Sequence, residues 1–231
     1  VNTYAVQGGE QIKNFDILRA DSGIYTVTVK ITDDTNYHDK TEAIEFAIAK
    51  ADRSVTVSID GWIYGDIIDI ADKLVIEGIQ GSDVASVKYS GTTNAGEEYD
   101  SETDPPEEAG KYTVTVKWDE TTNYTAGSAE SEEFIIKRAT GSAKIFVNGT
   151  QYTEKVTAYY TGSAQTFKVT VKGHGGEIKI NGTPLPSDTD TMDYNLRDVG
   201  RTEVEVTVAQ TANYDEATAT AIIEILPAVI Q

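Results

Sequence analysis

The chain has 231 residues, 38 of them acidic against 19 basic, for a formal charge of −19. A surface that negative repels nucleic acid and anionic lipid, so neither is an expected partner. There is no cysteine to brace it and no apolar run long enough for a membrane-spanning helix.

The text opens at Val1 with "VNTYAVQGGEQ", which reads as the middle of a domain. The expectation is a fragment whose targeting segments lie upstream. The first clear element is "YTVTVKITDDTNY" at residues 25–37. Its phrase returns as "YTVTVKWDETTNY" at 112–124 and "TEVEVTVAQTANY" at 202–214. Tyr25, Val27, Val29 and Ile31 match Tyr112, Val114, Val116 and Trp118, then Thr202, Val204, Val206 and Val208. A period of two with β-branched residues on one side predicts a strand with one buried and one wet face. Each copy ends in an Asn-Tyr pair, at Tyr37, Tyr124 and Tyr214, and the Tyr is expected to plug the edge of its own core.

A second apolar run follows each time: "IEFAIAKA" at 44–51, "FIIKRA" at 134–139 and "AIIEILPA" at 221–228. Two neighbouring strands per unit are expected. Three units result: a partial one over 1–51 holding only the C-terminal half, a complete one over 52–139, and a divergent one over 140–231. If Tyr4 matches Tyr89, the front of the first unit lies outside this chain.

In the second unit "RSVTVSID", "GWIYGD" and "ASVKYSG" read as strands or turns before the acidic loop "EEYDSETDPPEEAG". The stretch "DIIDIADKLVIEGI" at 66–79 fits a short helix as well as strands. In the third unit "FKVTVKGHGGEIKI" looks like a β-hairpin with a glycine-rich turn, and "KINGTPL" adds an Asn-Gly turn. Short strands with frequent turns predict an all-β chain of tandem immunoglobulin-like sandwiches. Should 66–79 be helical, β-grasp-like units are the competitor.

The elements "GWIYGD", "VKYSGTTNAGEEYDS", "PPEEAGKYTVTV" and "ETTNYTAGSAESEEFIIKRA" resemble the tandem MBG-type (YGX-type) repeats of large bacterial surface proteins. The resemblance rests on Tyr64-Gly65, Tyr89, Ala109 to Val116, Asn123-Tyr124 and Phe134 to Ala139, and in the first unit on the text from Gly23 onward. The third unit departs more, with Tyr160-Thr161-Gly162 only loosely matching the Tyr-Gly element. The resemblance implies an extracellular, cell-surface or secreted, adhesin-like context without catalytic residues.

Little else carries chemistry. His38 and His174 sit in polar loop text with no nucleophile motif around them, and are expected to be solvated. Asp188, Asp190 and Asp193 cluster as calcium ligands could, but the spacing of a known calcium loop is missing, and no metal or other cofactor is expected. Trp62 and the pair Tyr159 and Tyr160 are the aromatic candidates for stacking on a sugar; one of the two tyrosines should face solvent. The expected function is a non-catalytic extracellular repeat module, an adhesin segment or stalk. Its partner would be a host or community surface glycan or protein. The short joins between units predict a monomeric, fairly stiff rod. A carbohydrate-binding module, or a spacer attached to a secreted enzyme, is the alternative.

Overall fold

A computed structural model describes residues 3–6, 11–12, 21–31, 40–152 and 155–228. His38 lies outside them. Among the described residues there is no α-helix, and the sheets fall into three groups along the chain.

Among the described residues the first unit is a single antiparallel sheet of β1 (Thr3–Val6), β2 (Gln11–Ile12), β3 (Gly23–Ile31) and β4 (Lys40–Ile48), in the order β2-β1-β3-β4. Tyr4 stands opposite Val27 as Tyr89 stands opposite Val114 in the second unit, so the two tyrosines do match in register. Tyr25 stacks on Phe46 with ring centroids 5.6 Å apart. Phe46 is still 38% exposed, whereas its counterpart Phe134 is 4% exposed.

The second unit contains β5 (Thr56–Ile59), β6 (Trp62–Ile63), β7 (Leu74–Glu77), β8 (Val84–Thr93), β9 (Glu98–Ser101), β10 (Gly110–Trp118), β11 (Gly127–Glu130) and β12 (Phe134–Lys137). One sheet runs β6-β12-β10-β8-β9, with β11 also on β10, and the pair β5-β7 covers it. Along β10 burial alternates residue by residue, so Tyr112, Val114, Val116 and Trp118 enter the core while Lys111 and Lys117 stay wet. Val57, Tyr89, Phe134 and Ile136 complete that core. Each fully buried valine or isoleucine there contributes about 1.5–3 kcal/mol of transfer free energy.

The third unit is built from β13 (Ala143–Val147), β14 (Thr150–Tyr152), β15 (Lys155–Tyr159), β16 (Gln165–Gly173), β17 (Ile178–Ile180), β18 (Thr183–Pro184), β19 (Thr191–Leu196), β20 (Gly200–Val208) and β21 (Ala217–Leu226). Its sheets, β14-β13-β16-β19 and β15-β21-β20-β17-β18, enclose Ile145, Phe167, Val169, Val204, Val206 and Ile223. In both complete units a short early strand runs parallel to the last one, β6 beside β12 and β15 beside β21. The other pairings between named strands are antiparallel among the described residues, and in each of these two units two facing sheets share one core. The chain is a tandem array of immunoglobulin-like β-sandwiches.

Two expectations are corrected. Residues 66–79 form one 3₁₀ turn, Ile70–Asp72, and the strand β7. Asp69 ends the turn's entry by accepting from the Ala71 N–H at 3.0 Å, and the β-grasp alternative falls with the missing helix. The stretch "FKVTVKGHGGEIKI" is not a hairpin: β16 pairs with β13 and β19, while β17 pairs with β18 and β20. The glycines carry the chain across from one sheet to the other. Gly175 has φ +95°, and a Cβ on Gly176 would lie 1.8 Å from the Ala209 carbonyl oxygen. The Asn-Gly turn after β17 is there, with φ of 46° at Asn181 and 78° at Gly182.

Candidate functional site

Of the repeated Asn-Tyr pairs, Asn123-Tyr124 and Asn213-Tyr214 sit at the joints between units, and Tyr37 lies outside the described residues. Within Thr211-Ala212-Asn213-Tyr214, the Thr211 N–H donates to the Tyr214 carbonyl at 2.9 Å, and the Tyr214 N–H donates to the Thr211 hydroxyl at 3.1 Å. This closed turn satisfies its own polar groups and projects the Asn213 side chain outward. Asn213 Oδ1 accepts from the Ala109 N–H of the second unit at 3.0 Å, and its Nδ2 donates to the Glu108 carboxylate. The backbone joins in: the Ala139 N–H donates to the Asn213 carbonyl at 2.9 Å, and the Asp215 N–H donates to the Ala139 carbonyl at 3.0 Å. Arg138 Nε donates to the Thr211 carbonyl at 3.0 Å. Tyr214 meets Tyr64 of the second unit edge-on at 5.4 Å and lies against His174 of its own unit at 5.2 Å.

The joint between units one and two repeats this bond for bond. Asn123 Oδ1 accepts from the Ser22 N–H at 2.7 Å, and its Nδ2 donates to Asp21 Oδ1 at 2.7 Å. The Ala51 N–H donates to the Asn123 carbonyl at 2.9 Å, the Thr125 N–H donates to the Ala51 carbonyl at 3.0 Å, and Lys50 Nζ donates to the Thr121 carbonyl at 2.8 Å. Thr121 closes the Asn-Tyr turn as Thr211 does. Tyr124 is 41% exposed, with the Arg53 guanidinium 4.4 Å above its ring. It therefore belongs to the joint and does not plug a core edge.

The receiving surface is held from inside each unit. The Tyr112 hydroxyl reaches back four residues to donate to the Glu108 carbonyl at 2.8 Å, and Tyr25 does the same to Asp21. Such a tyrosine corner fixes the loop ahead of the strand. It thereby aims the Glu108 carboxylate and the fully buried Ala109 N–H at Asn213. Burial, reinforced by the Glu108 charge, pushes the Tyr112 hydroxyl up to about 12.

The residues singled out in the sequence are scattered. Trp62 is 8% exposed and packs on Phe134 at 5.4 Å, inside the core. Tyr159 is 59% exposed on β15, while Tyr160 turns the other way onto the core of the third unit. Asp190 pairs with Lys172, whose hydrogen bond holds the carboxyl below its usual range. Asp193 faces Lys168 across the β16–β19 pair, and Asp188 is exposed; among the described residues no acidic or histidine cluster is arranged to hold a metal. His174 departs from the expected solvated loop residue. Its Nδ1 lies 3.0 Å from the Ser142 nitrogen and 3.2 Å from the Ser142 carbonyl oxygen, and its Nε2 lies 2.9 Å from the Ala209 carbonyl, so both ring nitrogens are held by the backbone. A cavity of about 760 Å³ opens beside Trp62, Tyr64, Ile67, Pro105 and Glu108. Two of its acids serve their own turns: Asp66 accepts from the Ile63 N–H at 3.1 Å, and Asp69 caps the 3₁₀ turn.

What sequence reasoning missed was the asparagine. The signal was available: Asn is the one polar side chain that precedes the Tyr in all three copies.

No family model and no curated protein matches this sequence. Solved structures do match. One is described as fibronectin(III)-like modules of Clostridium thermocellum CbhA, at 13% identity and TM-score 0.25, over 75% of this chain and 95% of that one. Another is the I9-I11 tandem from titin, at 14% identity and TM-score 0.27, over 99% of this chain and 89% of that one.

Proposed function

We propose that the chain is a non-catalytic segment of an extracellular bacterial surface protein, a stalk or adhesin spacer whose joints hold successive sandwiches in one fixed relation. The observation that carries this is the joint itself: the same side-chain and backbone hydrogen bonds recur at both junctions. Tandem domains swivel by default when their contact is small and polar. Here an asparagine bonded at both ends of its amide, together with a parallel bridge at Ala51 or Ala139, opposes that rotation. The acidic charge of −19 keeps neighbouring arrays apart, and the resemblance to MBG-type repeats supports the extracellular setting.

The test uses the absence of native cysteine. Spin labels at Lys117→Cys and Lys168→Cys, both exposed strand positions, report the distance between units two and three. A narrow distribution that broadens on Asn213→Ala is expected. A parent distribution as broad as the variant's overturns the reading.

A further inference from the structure

Two joints receive an Asn-Tyr turn, and the third unit carries the same receiving surface a third time. The register of the last two strands fixes the correspondence: Gly23 faces Ile48, Gly110 faces Ile136 and Gly200 faces Ile225. Counting from those pairs, Asp198 stands where Asp21 and Glu108 stand, Val199 where Ser22 and Ala109 stand, and Ala228 where Ala51 and Ala139 stand. Gly23 and Gly200 enter their strands at nearly the same extended φ, 159° and 158°. The difference lies in cover. It is confined to the middle position: Ala109 is fully buried and Ser22 half-buried, whereas Val199 is 50% exposed, while the carboxylates Asp21, Glu108 and Asp198 are exposed at all three seats.

We propose that the end of the third unit, formed by Asp198, Val199 and Ala228, is an open joint that seats the Asn-Tyr turn of a further repeat unit of this type. The incoming asparagine would accept from the Val199 N–H and donate to the Asp198 carboxylate. Its backbone would bridge Ala228, as Asn213 bridges Ala139. Charge fits this occupant. The surface offers one carboxylate and backbone groups, which suit a neutral amide and turn, and the partner is self-similar because the same phrase supplies both halves of the joint. Two substitutions weaken this seat relative to the others. Thr202 replaces the tyrosine of the corner, and Pro227 replaces the cation of Lys50 and Arg138, so no side-chain N–H caps the incoming threonine carbonyl.

The inference rests on the joint reading above, and the experiment separates the two. The full chain is extended by a second copy of residues 140–228 joined directly to Ala228, and amide hydrogen exchange is followed by NMR. Exchange at Val199 is expected to slow about tenfold relative to the parent chain, the worth of one hydrogen bond closed by a docked turn. Replacing the Asn213 counterpart in the added copy with Ala should return Val199 to its parent rate while the copy's own core amides stay protected. The change Thr202→Tyr in the extended chain should slow Val199 further. Fast exchange at Val199 with Ser22 and Ala109 still protected overturns this inference alone. Fast exchange at all three overturns the joint reading as well. Slowing of Val199 in the parent chain that grows with protein concentration would assign the seat to a second copy of the chain in trans, and would also overturn the proposal.

Discussion

Removing the Tyr112 hydroxyl with Tyr112→Phe should loosen a joint that this side chain never touches. The ring itself is 1% exposed and packs on Phe134 and Tyr99, with centroids 5.7 Å and 5.8 Å away. Phenylalanine keeps those contacts and opens no cavity. What is lost is one hydrogen bond to the Glu108 carbonyl, worth about 1 kcal/mol. For a unit of this size that lowers the unfolding midpoint by about 4–8 °C. The Glu108-Ala109 loop loses its tether, so the Ala109 amide, which donates to Asn213, should exchange several-fold faster while amides deep in β10 change less.

The same variant has a signature in alkali. The Tyr112 hydroxyl is held near 12 in the folded chain against 10.0 ordinarily. Below pH 10 it is protonated folded and unfolded, and its contribution is whole. Between pH 10 and 12 the unfolded chain gives up the proton while the folded chain keeps it, so stability falls as pH rises. Tyr89, also raised by burial, remains in the variant, so the alkaline decline should become shallower without vanishing. Denaturant unfolding at pH 8, 10 and 11.5, with exchange at Ala109, reads both effects. Equal stability, an unchanged alkaline slope and unchanged Ala109 exchange in Tyr112→Phe would refute the claim that the corner organises the joint.

Gly141→Ala should destabilise the third unit by about 1–3 kcal/mol in thermal unfolding, because the new Cβ would lie 1.9 Å from the Asp215 carbonyl oxygen, a backbone atom beside the Asn-Tyr turn. Tyr160→Ala should cost about 2 kcal/mol in the same assay, while Tyr159→Ala stays within about 0.5 kcal/mol, since only Tyr160 packs on the core. NMR titration should place the Asp190 midpoint below 3.8, and Lys172→Met should move it back up. That carboxylate's small contribution to stability is present above its unfolded value and is lost as pH falls through the folded one.

The strand pairs that close each unit were legible because period two is written into one face: Val114 and Val116, then Val204 and Val206, are all fully buried where the alternation puts them. The Asn181-Gly182 turn was legible because a left-handed pair of residues needs that chemistry. Which sheet a strand joins was not. β16 and β17 look like a hairpin locally, but Phe167 and Ile180 contribute to one core from opposite sheets. The joint was illegible for a similar reason. Asn123 finds Ser22 across 101 positions of sequence, and Asn213 finds Ala109 across 104, so no local pattern announces either contact. Trp62 and Tyr160 were read as surface candidates because strand phase is undetermined over so few residues.

The repeated phrase has the length it has because both halves of a joint hang on one strand. Tyr112, at the start of β10, positions the loop that receives the next unit, and Asn123, just past the end of β10, enters the unit before. The strand's nine residues span roughly 30 Å at the usual rise, the depth of the sandwich. Its inward side chains fix its place in the core, so the two ends cannot shift relative to each other without unpacking Val114 and Val116. A substitution elsewhere in the unit changes a loop or a sheet edge, whereas a slip along this strand displaces both neighbours. The third unit fits that logic. Its front half diverges freely, and its strand β20 and Asn213 stay in phase with the other copies. The departure at Thr202 falls at an end of its strand that receives no Asn-Tyr turn among the described residues.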